Sequence, residues 1–85
     1  MDIETADAAR VAEIEAIVAA IRPLLAGKPP EIQGAALADL LATWLAGYVA
    51  GDEGKTDDLR ERLLQHHLRT VRRLLPVNHA MIHGD

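Results

Sequence analysis

The chain contains no cysteine, no serine and no phenylalanine, and each absence removes a class of chemistry or of packing. Without cysteine there are no disulfides, no thiolate nucleophile and no thiolate metal site. Without serine the commonest hydroxyl nucleophile is missing, and the threonines fall where helix caps or helix surfaces are expected. The expectation is therefore a protein without enzymatic activity and without a cofactor. Aromatic residues make up 2% of the chain, the single Trp44 and the single Tyr48, against 49% hydrophobic residues in all. A core must then be built from Leu, Ile, Val and Ala, which suits helices better than strands, where β-branched and aromatic side chains are favoured.

Positive charge is not in surplus either. A net charge of −4 argues against an indiscriminately basic nucleic-acid binder. The opening residues Met1 to Glu4 lack the basic and apolar regions of a secretory signal, and neither end carries a lipidation or sorting motif, so a cytoplasmic location is expected. Eighty-five residues are enough for one domain, 1–85, whose core at this size is marginal unless it is dense or shared with a second chain.

What is present is helical periodicity. Val11, Ile14, Val18, Ile21 and Leu25 recur at alternating steps of three and four, one stripe of a first helix over about 5–25, widened by Ile17 and Leu24. Thr5 or Asp2 could cap it, and Glu4 and Asp7 suit the positive end of its dipole. Pro23 predicts a kink or an end. Ala8, Ala12, Ala16 and Ala19 line up on the opposite side, where alanine serves as an exposed helix former or as a second contact surface. Gly27 then predicts a terminator, and Pro29 and Pro30 the first turn of a second helix over about 30–50.

That second helix organises the rest. Leu37, Leu40, Leu41, Trp44, Leu45, Tyr48 and Val49 form a broad apolar arc, small residues fill most of the remainder, and no charge occurs between Leu40 and Ala50. A helix apolar or small nearly all round needs cover from other helices or from a second copy of the chain. Gly47 and Gly51 have the small-xxx-small spacing of packed membrane spans, but the uncharged run is far short of the roughly twenty residues that cross a bilayer, and no membrane association is expected.

Residues 51–56 read as a polar loop, and Thr56 with Asp57 and Asp58 as the start of a third helix over about 57–75, stopped by Pro76. Leu64, Leu68, Val71 and Leu75 give its apolar stripe. The remainder, Val77 to Asp85, reads as a short C-terminal appendage that packs back. The fold expected is all-α, a three-helix bundle with that appendage, dimeric because its apolar surface exceeds what two flanking helices cover.

Five of the nine basic residues, Arg60, Arg62, Arg69, Arg72 and Arg73, lie on the third helix, and Arg62, Arg69 and Arg73 share a face with His66 opposite the leucines. The face reads first as solvated arginines, then as a surface for an acidic protein partner or a second copy. A helix-turn-helix reading is disfavoured: the preceding loop is long, and no Asn or Gln accompanies the arginines to read adenine edges. His79 and His83 are one turn apart if the tail is helical, a spacing that can place two imidazoles on one metal, although no third ligand follows from spacing. Asp39 and Thr43 are also one turn apart and read as the solvent edge of the second helix. Residues 51–56 lack the glycine spacing and preceding strand of a phosphate loop.

The function expected is a small non-enzymatic interaction or regulatory module acting through a helix face as a homodimer, with Leu41, Trp44, Tyr48, Arg62, Arg69 and Arg73 as its surface. The alternative is a nucleic-acid-binding regulator using the arginine face.

Overall fold

The structure, a computed structural model, describes residues 3–84, with side chains from Ala6 onward. Among these residues it is all-helical: α1 (Ile3–Leu25), α2 (Pro30–Ala46) and α3 (Glu53–His83), with no strand. The chain divides into two compact units, Met1–Ala36 and Leu37–Asp85, the boundary falling inside α2.

In the first unit α1 carries Pro23 within it and continues to Leu25. The Ala26 N–H donates to the Arg22 carbonyl at 3.0 Å, and Gly27 follows at φ 76°, a left-handed conformation that a side chain disfavours. Gly27 therefore ends α1 as its sequence position predicts, while Pro23 does not. The Pro29 carbonyl then accepts from the Ile32 and Gln33 N–H groups, both at 3.0 Å, so the pyrrolidine of Pro30 sits where its missing N–H has no helical partner. The Leu25 carbonyl, at the α1 C-terminus, accepts both the Lys28 N–H at 3.1 Å and the Gln33 Nε2 at 2.8 Å, which ties α2 back to the end of α1. The caps proposed at Asp2 and Thr5 lie outside the described side chains.

The second unit is a helical hairpin. Its contacts pair Trp44 with His67, Leu45 and Ala46 with Arg60, and Ala50 with Thr56. Partner numbers fall along α3 as they rise along α2, so the two segments run antiparallel. Three expected boundaries need correction. The second helix ends at Ala46, not near 50. At its end the N–H groups of Gly47 and Tyr48 bond three residues back, to Trp44 and Leu45 at 3.2 and 3.1 Å, tightening the last turn where glycine weakens helical propensity. Tyr48 thus belongs to the connection. The third helix starts at Glu53, capped by Asp52, whose Oδ1 accepts the Lys55 N–H at 2.8 Å. Thr56 is one turn inside and is not the cap.

The third correction concerns Pro76, which lies within α3 and does not stop it. A proline removes one helical donor and crowds one turn, about 3 kcal/mol at a single position. The residues beyond it, Val77 to His83, are compatible with helix, and termination falls instead to Gly84, at φ 76°, whose N–H donates to the Ala80 carbonyl at 2.8 Å. The C-terminal appendage is therefore the last two turns of α3.

Neither unit has a dry centre. Among the described residues no hydrophobic side chain is buried, and the one buried residue is Thr56. Leu41, Leu45, Leu59, Leu63, Leu64 and Leu68 are half-buried, marking the seam of the hairpin. Farther along α3 the stripe is bare, with Val71, Leu74 and Leu75 exposed, and so are Val11, Ile14 and Val18 of α1.

Candidate interaction surface

The best-organised part of the second unit is the turn end of the hairpin. The half-buried Arg60 extends its guanidinium across the C-terminus of α2, Nε donating to the carbonyls of Leu45 at 3.1 Å and Tyr48 at 3.0 Å, and Nη2 to that of Ala46 at 3.0 Å. The Leu45 carbonyl also accepts the Tyr48 N–H, and the helix dipole makes this the negative end of α2, so one planar cation adds both donors and opposite charge where the helical N–H groups run out. Beside it an open depression of about 420 Å³ is lined by Ala42, Leu45, Ala46, Asp57, Arg60, Glu61 and Leu64.

Above this cap the two aromatics lie together. Trp44 and Tyr48 meet edge to face with ring centroids 5.5 Å apart, and Trp44 also leans on His67 at 5.7 Å. The indole is 42% exposed and the phenol 39%, so the cluster is supported from one side and open on the other. Leu41, one turn earlier, is half-buried. With Leu37 and Leu40, also exposed, these residues form an apolar strip along α2 and into the connection that follows it.

Arg62, Arg69 and Arg73 are all exposed on α3, as is His66. Within the second unit no ion pair occurs among the described residues; Glu61 instead accepts from the Gln65 Nε2 at 2.9 Å. The arginine face and the aromatic strip are thus separate features, and Arg60 belongs to neither. Asp39 and Thr43 are 3.5 Å apart, a long contact between exposed groups, and no enclosed cavity holds them.

The tail is helical as far as His83, and this sets the histidine geometry. His79 and His83 stand on consecutive turns with ring centroids 4.4 Å apart. They border an open depression of about 590 Å³ walled by Val71, Leu75, Pro76, Asn78 and Ile82. Among the described residues no group of three or more metal-ligating side chains converges. No helix there is long and apolar enough to cross a membrane.

Two participants escaped the sequence reading, Arg60 as a cap and His67 as the partner of Trp44. Their signal was available: Arg60, Leu64, His67 and Val71 follow one four-three-four spacing, so both polar residues sit in register with the leucine stripe. A polar side chain in that register has to meet the facing helix. No family model, curated protein or solved structure matches the chain.

Proposed function

We propose that this chain is a small non-enzymatic helical interaction or regulatory module that works through a helix face, as a homodimer of three-helix bundles in the cytoplasm. One observation carries the reading: seventeen large hydrophobic side chains are exposed among the described residues, and none is buried. Full burial of one such side chain contributes about 1.5–3 kcal/mol. These residues are 39–77% exposed, so covering even five of them would supply on the order of 5 kcal/mol, a large fraction of the stability of a domain. Surface of this kind is associated with a partner.

The strip through Leu41, Trp44 and Tyr48 is assigned the central role because it joins two large aromatics to apolar neighbours, the composition of energetically dominant contacts between proteins. A second copy is the assigned partner. The arginines of the separate α3 face, Arg62, Arg69 and Arg73, would receive acidic groups of that copy or of an acidic protein. Sedimentation of the full chain over a wide concentration range tests this. A dimer that dissociates on dilution is the expected result; a strictly monomeric chain at high concentration removes the dimer.

A second reading, nucleic-acid binding through the arginine face, is favoured only by the exposure of those three arginines without acidic partners among the described residues of their own unit. Phosphate contacts of this type weaken steeply with salt. Titration of duplex DNA and of RNA at low salt decides it, since absence of binding there excludes the reading.

A further inference from the structure

We propose that His79 and His83 form a two-imidazole site for one divalent transition-metal ion of the zinc, nickel and copper class, at the C-terminal end of α3. This site is independent of the dimer and of the surface assigned above.

Geometry is the first argument. The rings lie on consecutive turns with centroids 4.4 Å apart and planes inclined at 42°. An ion held about 2.1 Å from one nitrogen of each ring, with an angle at the metal between square and tetrahedral, sets the ring centres roughly 4.6–5.3 Å apart. The observed spacing is short of that range by a few tenths of an ångström, a difference that small side-chain rotations absorb. Both residues are exposed, so no desolvation of a buried pair is required.

The second argument is local order. The helix persists through Pro76, and the Gly84 cap closes the final turn by its bond to the Ala80 carbonyl. That closure keeps His83 in helical register with His79, without which the pair would not share a face.

Electrostatics add a third. The last carbonyls of α3 form the negative end of the helix dipole, which favours a cation within the final turn. An ion bridging two turns would also hold that turn against fraying.

The ligand set limits the chemistry. Neutral imidazole suits zinc, nickel and copper, whereas magnesium and calcium take oxygen donors. Two protein nitrogens leave at least two positions for water or an incoming donor, so the site would exchange its metal rather than lock it as a four-ligand structural centre does. Binding requires both imidazoles neutral and therefore weakens on acidification.

The test is calorimetric titration of the full chain, free of any affinity tag, with zinc, nickel and magnesium chlorides. One zinc or nickel per chain and no magnesium is the expected pattern. His79→Gln and His83→Gln should each lower zinc affinity about tenfold or more, because the second imidazole then no longer binds intramolecularly. His66→Gln, on another face of α3, should leave the affinity unchanged. Circular dichroism of each variant verifies that the helices persist. No zinc binding by the parent chain, equal binding by His83→Gln, or an equal loss in His66→Gln would each overturn the assignment.

Discussion

Thr56 and Ala50 close the hairpin connection with a reciprocal pair of contacts: the Thr56 hydroxyl accepts the Ala50 N–H at 2.9 Å and faces the Ala50 carbonyl at 3.4 Å. Thr56 is also the one buried residue among those described. A polar group thus occupies the most enclosed position of a chain whose apolar residues remain accessible. The hydroxyl does what a further backbone bond would do in a longer helix, by fixing Ala50, in the connection after α2, to the first turn of α3.

The prediction from this pair is a contrast between two substitutions. Thr56→Val keeps the shape of the side chain but leaves the Ala50 N–H without its acceptor, at a cost of about 1–3 kcal/mol. Thr56→Ser keeps the hydroxyl and should lose less than about 1 kcal/mol. Urea denaturation at one fixed chain concentration measures both, since any self-association makes stability concentration-dependent. Equal stability of the valine and serine variants would show that the hydroxyl contributes nothing.

Arg60 makes three donations to the end of α2, and a guanidinium can do so because its donors are arranged in a fixed plane. Arg60→Met removes both the charge and the donors and is expected to cost about 1.5–3 kcal/mol. Arg60→Lys retains a cation near the negative helix end, worth about 0.3–1 kcal/mol, but not the fork. The lysine variant should therefore recover less than half of the loss. Full recovery in the same denaturation experiment would mean that charge alone is required.

Two glycines predict opposite signs. Gly27 adopts φ 76°, where a β-carbon is strained whatever space surrounds it, so Gly27→Ala should destabilise by about 1 kcal/mol. Gly34 lies inside α2 with nothing within 4 Å of an added β-carbon, so Gly34→Ala should stabilise by about 0.5–1 kcal/mol through helix propensity. A thermal melt of each variant distinguishes them. A destabilising Gly34→Ala would indicate that another surface approaches that position closely in the assembled protein.

The existence and type of the helices could be read from apolar spacing, and Gly27 and Pro30 from their backbone restrictions. The boundaries near Ala46, Glu53 and Pro76 could not, each for a local reason. Thr56 has the side chain of a cap, but Asp52 precedes it by one turn and takes the role, leaving the hydroxyl for Ala50. Pro76 carries the penalty of a breaker, but a breaker ends a helix only when the following residues gain more elsewhere, and here they continue to a glycine cap. In the candidate surface, the closeness of Trp44 and Tyr48 was expected from an unbroken helix. It arises instead across the helix end, so that spacing predicted the contact but not its cause. The role of Arg60 was hidden because charge suggested solvent while its register with Leu64 pointed to the seam.

Trp44 separates a structural from an associative role for the aromatic strip. Its indole touches Tyr48 and His67 yet stays 42% exposed, so truncation should cost the isolated chain little while removing most of what it offers a partner. Large aromatics at the centre of an interface commonly contribute 2 kcal/mol or more, which corresponds to a loss of about thirtyfold in affinity. Trp44→Ala is accordingly expected to weaken self-association at least about tenfold in sedimentation equilibrium, with helicity by circular dichroism preserved. The triple change Arg62→Gln, Arg69→Gln and Arg73→Gln should leave the dimer within about threefold, because exposed charges on a rim contribute little to affinity. A variant at Trp44 that unfolds, yet associates normally while any folded fraction remains, would place the indole in the core and remove this strip from the interface. If the arginine variant loses the dimer while Trp44→Ala retains it, the working face of the protein is the charged side of α3.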